Sequence, residues 1–245
     1  MRLAVVIPMF NEEAGARRCV DRVGLAIEGR TDIFLVVIDD GSRDGTVSEL
    51  REAQRGGACF EIVEGSINRG YGRALRTGAE HAAQMGADWV LFMDSDLTNP
   101  PEQIGEFSRV IDDQLDMVKA CRYCPGGSTG DVPFRRMIVS RCGNLLARWL
   151  MAIPHRDLTN GFRAFPVSRY LALELTEPGF AVILEEAYWV GRSRLRTAEL
   201  PTALTDRASD LRPTSFRYSP QQVWAYLRWP LRSAKDRVVR LFVGR

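Results

Sequence analysis

Short apolar runs recur through the first half of the chain, at Leu3–Pro8, Ile33–Ile38, Phe60–Val63, Trp89–Met93 and Met117–Cys121. Each is rich in Val, Ile, Leu or Phe and lacks polar alternation, the pattern of strands buried on both faces. Helical patterns separate them, over Glu12–Ile27, Asp44–Arg55, Tyr71–Gln84 and Pro101–Gln114. Start signals support these helices, in Ser42 ahead of Asp44 and in the Asn99-Pro100-Pro101-Glu102 lead-in. Strands alternating with helices predict an α/β protein with a mostly parallel sheet and helices on both faces.

The second half is less regular. Gly126–Gly130 reads as a mobile loop, followed by a helix over Phe134–Met151, helices near Val167–Leu175 and Val182–Val190, and a strand at Leu195–Leu200. Thr205–Pro220 is polar and loop-like, and a helical pattern resumes at Gln221. The expected division is one domain over 1–220 and a basic helical extension over 221–245. In that extension Trp224, Leu227, Leu231, Ala234, Val238 and Leu241 align on one helical face. Arg228, Arg232, Lys235, Arg237 and Arg240 accompany them, and Pro230 is expected to kink the helix. A basic amphipathic helix of this kind suits peripheral contact with an anionic membrane, and suits equally packing of its apolar face on the domain.

Composition narrows the class. The 245 residues, 45% of them hydrophobic, suffice for one large α/β domain with an extension. No run of about 18 apolar residues occurs, so no membrane-spanning helix is expected. The apolar run at Met1–Pro8 is too short for a signal peptide. Five scattered cysteines, at 19, 59, 121, 124 and 142, predict a reduced, cytoplasmic protein without a disulfide framework. Cys121 and Cys124 have CxxC spacing, but they lack a second pair and the histidines, His81 and His155, are distant in sequence, which argues against zinc.

The net charge of +2 conceals an asymmetry. Residues 1–118 carry 12 Arg/Lys against 21 Asp/Glu, and residues 119–245 carry 21 against 10. The acidic half suits a cation and the basic half suits phosphates or an anionic surface. A nucleic-acid-binding module fits poorly, because no helix-turn-helix, zinc-finger or RNP pattern occurs and the acidic half would repel phosphates.

Candidate chemistry concentrates in the loops after the first, second and fourth predicted strands, which converge where open α/β sheets bind ligands. They read Pro8-Met9-Phe10-Asn11-Glu12-Glu13, Asp39-Asp40-Gly41-Ser42 and Asp94-Ser95-Asp96. Asp94 and Asp96, two apart in an extended segment, point the same way and form a pair of oxygen ligands for Mg²⁺ or Mn²⁺. Such a cation would clamp a diphosphate as it leaves. Of Asp39 and Asp40, one suits hydrogen bonds to a nucleobase or ribose and the other suits holding the turn. The Asn68–Ala74 segment offers GxG without the third glycine of a dinucleotide fingerprint, so a Rossmann oxidoreductase is not expected.

These elements, in this order, resemble glycosyltransferase family 2 with its GT-A fold, and within it the dolichyl- or polyprenyl-phosphate mannose synthases. The motifs are Val37–Ser42, Asn68–Gly72 and Met93–Leu97, continued by Arg122-Tyr123, Pro133–Arg136, Asp157–Phe162 and Gly179-Phe180. The resemblance implies that Pro8, Phe10, Glu12 and Asp39 border the nucleoside and that Asp94 and Asp96 bind the metal. It also implies that Arg122, Arg136 and Ser140 surround an acceptor phosphate. Arg207 fits an arginine of the family's C-terminal stretch, whose following Ser-Lys step survives only loosely as Ser215-Phe216-Arg217, with Arg212 a second stand-in for the lysine. Thr98 stands where the family often has a glutamine ligand.

The function implied is transfer of a sugar from a nucleotide-sugar, GDP-mannose before a UDP-sugar, onto a polyprenyl phosphate with inversion. A saccharide hydroxyl acceptor is the rival. A hydroxyl needs a general base, for which Glu185 and Glu186 are candidates, whereas a phosphate is already a nucleophile near neutral pH. A non-catalytic scaffold is the remote alternative, and intact Asp94 and Asp96 argue against it.

Overall fold

The computed structural model describes residues 1–130, 134–205 and 219–243. Seven strands form one sheet: β1 (Leu3–Met9), β2 (Ile33–Asp39), β3 (Glu61–Glu64), β4 (Trp89–Phe92), β5 (Met117–Cys121), β6 (Arg163–Pro166) and β7 (Thr197–Pro201). Their order is β3-β2-β1-β4-β6-β5-β7, parallel except for β6, which runs antiparallel to both β4 and β5. The helices are α1 (Glu13–Ala26), α2 (Thr46–Arg55), α3 (Tyr71–Gln84), α4 (Ile104–Val110), α5 (Phe134–Met151), α6 (Val167–Leu171), α7 (Val182–Arg192) and α8 (Pro220–Val243).

The unbroken apolar runs follow from layers on both sides of the sheet. In β1, Leu3, Val5, Ile7 and Met9 join a core with Cys19, Val20 and Val23 of α1 and Leu50 of α2. The alternate residues Ala4 and Val6 join a second core with Ala74, Leu75 and Ala79 of α3 and Tyr170 of α6. Side chains alternate with period two, so a strand covered on both faces has no polar positions left to show.

Sequence patterning overlooks β6. Its four residues, Arg163-Ala164-Phe165-Pro166, include a charge and a proline. Pro166 closes the strand, where its missing N–H costs least. The helix expected over Val167–Leu175 is also shorter, ending at Leu171.

The extension forms one continuous helix through Pro230. It meets the domain with Trp229, 4% exposed, packed with Ala147, Met151, Leu184 and Tyr188. Trp229 Nε1 donates to Glu177 Oε1 at 2.5 Å, and Asp236 Oδ2 accepts from Tyr188 OH at 2.6 Å. Trp224, Leu231 and Val238 of the predicted stripe are exposed. Packing therefore uses the other face, because an indole with a buried hydrogen-bond partner fills the available slot.

One expectation is corrected: Cys121 and Cys124 form a disulfide, while Cys19, Cys59 and Cys142 are free. The turn after β5 brings their Cα atoms to 5.6 Å, a separation a disulfide spans. Among the described residues no helix is long and apolar enough to cross a membrane.

Candidate active site

Strands β2, β1 and β4 are adjacent and parallel, so their carboxyl ends open along one edge and bring the three acidic loops together. Hydrogen bonds stitch the first loop to the second. Asn11 N–H donates to Ser42 Oγ, Arg43 N–H to Asn11 Oδ1 and Glu12 N–H to Thr46 Oγ1, each at 2.8 Å. Asn11 holds φ at 53°, a left-handed conformation that asparagine tolerates better than most residues. Pro8, Phe10 and Glu12 are half-buried at this edge.

Asp39 and Asp40 take different parts. Asp40 accepts the N–H groups of Arg69, at 3.0 Å, and Gly70, at 2.7 Å, and so locks the lead-in to α3. Asp39 Oδ2 accepts Ser42 N–H at 3.1 Å, while its Oδ1 is buried with no hydrogen-bond partner. A buried carboxylate oxygen left unpaired is costly unless a ligand donates to it. The glycines that follow serve packing. Gly72 N–H donates to Pro178 O at 2.7 Å, and a Cβ on Gly72 would lie 2.1 Å from Glu177 O.

Asp94 and Asp96 stand just past β4. Tyr71 OH donates to Asp94 Oδ1 at 2.9 Å, and Thr98 donates to Asp96 Oδ1 from both N–H, at 3.1 Å, and Oγ1, at 2.9 Å. Thr98 thus orients the second carboxylate. Burial and the charge of Asp96 push the Asp94 carboxyl up to about 6. The Asp94 carboxylate and the neighbouring Asp96 form a donor set that a hard divalent cation fits. Gly161 closes the pocket from the far side, where a Cβ would lie 2.5 Å from Asp94 Oδ2. Gly161→Ala is therefore expected to weaken Mn²⁺ binding roughly tenfold, read by titration, with the melting temperature little changed.

A second polar cluster forms where β5 ends. Arg122 donates to Asp157 from Nε (2.6 Å), Nη2 (2.8 Å) and its backbone N–H (3.0 Å), and Nη2 also reaches Thr159 Oγ1 at 2.9 Å. Burial pushes the Asp157 carboxyl up, but hydrogen bonds from Arg122 outweigh it and hold the group below its usual range. Asn144 Nδ2 donates to Thr159 Oγ1 at 3.0 Å and to Ser140 O at 2.9 Å, and Tyr123 OH donates to Ser140 Oγ at 2.9 Å. Arg122 and Ser140 are thus joined through one network. The Arg136 side chain and Arg207, Arg212, Ser215 and Arg217 lie outside the described structure.

Under both clusters lies a buried ion pair that the sequence did not announce. Arg163, 0% exposed, makes two 2.6 Å bonds to Glu186 and donates from Nη1 to Gly161 O at 2.6 Å. Lys119 Nζ donates to Asn160 O at 2.6 Å, and burial pulls its ammonium down to about 7. Glu185 accepts the N–H groups of Thr176 and Glu177 and the Thr176 hydroxyl. Both glutamates named as candidate bases are thus spent on structure. No local signal marks the pair, since Arg163 lies in β6 and Glu186 in α7, beside a second glutamate, Glu185.

The family model for glycosyl transferase family 2 matches residues 4–171. The chain is 25% identical to polyprenol monophosphomannose synthase of Mycolicibacterium smegmatis over 240 residues, 96% of this chain and 89% of that protein. It is 26% identical to dolichol-phosphate mannosyltransferase of Pyrococcus furiosus over 251 residues, 99% of this chain and 68% of that protein. Among solved structures it is similar to glucosyl-3-phosphoglycerate synthase of Mycobacterium tuberculosis in complex with Mn²⁺, UDP and glucosyl-3-phosphoglycerate. The TM-score is 0.65 at 22% identity, over 96% of this chain and 79% of that one. That likeness concerns the fold, GT-A.

Proposed function

This chain belongs to glycosyltransferase family 2, and from that premise we propose that it transfers mannose from GDP-mannose to a polyprenyl phosphate, with inversion and with Mg²⁺ or Mn²⁺. The observation that carries the acceptor is the Arg122–Thr159–Asn144–Ser140 network beside the acidic pair, with Glu185 and Glu186 both committed elsewhere. A hydroxyl acceptor would need a base, whereas a phosphate monoester needs only placement and charge screening. The names of the relatives, polyprenol monophosphomannose synthase and dolichol-phosphate mannosyltransferase, agree with this acceptor and this sugar.

The residues divide the work as follows. Asp39 Oδ1 accepts a hydrogen bond from the nucleoside, while Pro8, Phe10 and Glu12 border it. Asp94 and Asp96 hold the cation, which when bound neutralises charge on the departing diphosphate. Arg122, fixed by Asp157, presents the remainder of its guanidinium to the acceptor phosphate with Ser140; the family resemblance assigns Arg136 to the same phosphate and Arg207 to the donor. Fixing the arginine in advance spares the entropy of ordering a long side chain at binding. The acceptor oxygen attacks the sugar carbon on the face opposite the diphosphate.

Asp39→Asn is expected to raise the KM for the donor about tenfold while leaving the melting temperature near that of the wild type. Asp40→Ala should instead lower stability by about 1–3 kcal/mol, since it strands two N–H groups. The test of the whole reading is incubation with Mn²⁺ and radiolabelled GDP-mannose, UDP-glucose or UDP-N-acetylglucosamine, each with and without a polyprenyl phosphate. Label from GDP-mannose entering the organic phase only with metal and lipid supports it. Transfer from a UDP-sugar overturns the donor, and label that stays aqueous overturns the acceptor.

A further inference from the structure

The end of β5 gathers a second set of metal-ligating residue types that sugar transfer does not use. Cys121 closes β5, Cys124 follows in the turn, and Glu199 stands on the neighbouring parallel strand β7. The two Sγ atoms and a carboxylate oxygen of Glu199 all lie within 4.8 Å of one another. Cys124 Sγ is 3.3 Å from Glu199 Oε2. A disulfide sulfur carries no proton, so in the oxidised form nothing is donated across that contact. Glu199 Oε1 is held in place by the N–H groups of Arg156, at 2.6 Å, and Asp157, at 3.2 Å.

His155 stands beside this cluster. It is 2% exposed, its Nδ1 lies 3.8 Å from Glu199 Oε1, and that nitrogen makes no hydrogen bond. Its Nε2 meets Thr197 Oγ1 at 2.7 Å. With the Nε2 proton donated to that hydroxyl, the ring lone pair falls on Nδ1, as in a metal-ligating histidine anchored through its other nitrogen. Burial, and after it the charge of Lys119, pulls the imidazole down to about 4, so the ring is neutral near pH 7. Distance along the sequence separates His155 from the CxxC pair. Strand β7 removes it, because Thr197 and Glu199, two apart, face the same way and both meet His155.

We propose that Cys121, Cys124, Glu199 and His155 form a thiol-dependent Zn²⁺ site, closed as a disulfide in this structure and opened by reduction. A dithiol supplies two electrons and two protons to the Cys121–Cys124 bond and is itself oxidised to a disulfide. The two thiols then release their protons to solvent as Zn²⁺ takes two thiolates. Two thiolates, an imidazole and a carboxylate satisfy tetrahedral zinc and suit Mg²⁺ poorly. Ligand atoms around tetrahedral zinc are about 3.3–3.8 Å apart, close to the 3.3 Å from Cys124 to Glu199 and the 3.8 Å from Glu199 to His155. Cys124 is half-buried, which gives reductant and ion a way in. Arg122 and Tyr123 lie between the two cysteines, so either bridge, disulfide or zinc, holds that turn. The inference goes beyond the transferase reading and does not rest on it.

The test uses the full chain carrying Cys59→Ser/Cys142→Ser, which removes the exposed thiols. The protein is reduced with dithiothreitol, freed of it under nitrogen, and kept in excess Mg²⁺ to occupy the acidic pair. Reduced protein is expected to bind one Zn²⁺ per chain in competition with a chromogenic chelator, and to melt higher with zinc than without. Co²⁺ in its place should give thiolate-to-metal charge-transfer absorption. Oxidised protein should show none of these. Adding Cys121→Ser/Cys124→Ser should abolish the absorption. Glu199→Gln, which keeps an acceptor for the two N–H groups, and His155→Gln should each weaken Zn²⁺ binding at least roughly tenfold. The comparison of reduced with oxidised chain involves no substitution at the site, so it stands even where a variant fails to fold. A bond that dithiothreitol does not open, reduced protein that takes up no zinc, or equal uptake by both forms would overturn the proposal. Zinc affinity unchanged in both Glu199→Gln and His155→Gln would overturn the four-ligand set.

Discussion

The Asp96→Asn protein is expected to fold at least as well as wild type yet to transfer sugar roughly a hundred- to a thousand-fold more slowly. Burial, and after it the charge of Asp96, holds the Asp94 carboxyl at about 6 against 3.8 for an ordinary aspartate when no cation is bound. Removing one charge relieves the fold and leaves a diphosphate without its counter-ion. The pH dependence has a fixed sign. The folded Asp94 holds a proton more tightly than the unfolded chain does, so metal-free protein loses stability as pH rises from about 4 to about 6. Added Mn²⁺ should restore it, and Asp96→Asn should reduce the dependence without removing it, since burial remains. Thermal melts between pH 4 and 8, in EDTA or Mn²⁺, check this alongside the transfer rate. A variant with wild-type activity, or a melting temperature indifferent to Mn²⁺, would sink the assignment.

The largest loss of stability is expected from Arg163→Met. Arg163 and Glu186 are 0% and 2% exposed, and removing the arginine leaves a buried carboxylate with no countercharge. Breaking such a pair costs about 3–5 kcal/mol, whereas replacing both members by apolar residues is often nearly neutral. Arg163→Met/Glu186→Leu should therefore recover most of the loss in urea melts. Activity should stay low in the double variant. Arg163 Nη1 holds the carbonyl of Gly161, and Gly161 backs Asp94, so the pair positions the cation site as well as filling the core. A double variant as unstable as the single one would show that the loss is not a stranded charge. Full activity in the double variant would remove the positioning role.

The sheet and its three acidic loops were legible because the chemistry there is local. An apolar run of five or six residues followed by Asp, Asn or Gly marks a buried strand and the loop at its carboxyl end, and parallel order puts those loops on one edge. The helices Tyr71–Gln84 and Phe134–Met151 have the bounds expected from the sequence. The strand β6 was not legible. Its arginine is inside because Glu186, 23 residues later, meets it there, and no local window contains both.

The acidic pair, the basic second half and the alternation of strands and helices through β5 are properties of residue type and spacing, and the chain declares them unaided. The division of labour between Asp39 and Asp40, the disulfide after β5, the engagement of Glu185 and Glu186, and the face by which α8 docks are decided only in three dimensions. Each depends on a partner far along the chain, such as Gly70 for Asp40 or Glu177 for Trp229. Periodicity shows that α8 has an apolar face without showing which of its tryptophans has a slot to fill. That choice belongs to packing, because a buried side chain is stabilised by the atoms and hydrogen-bond partners that surround it.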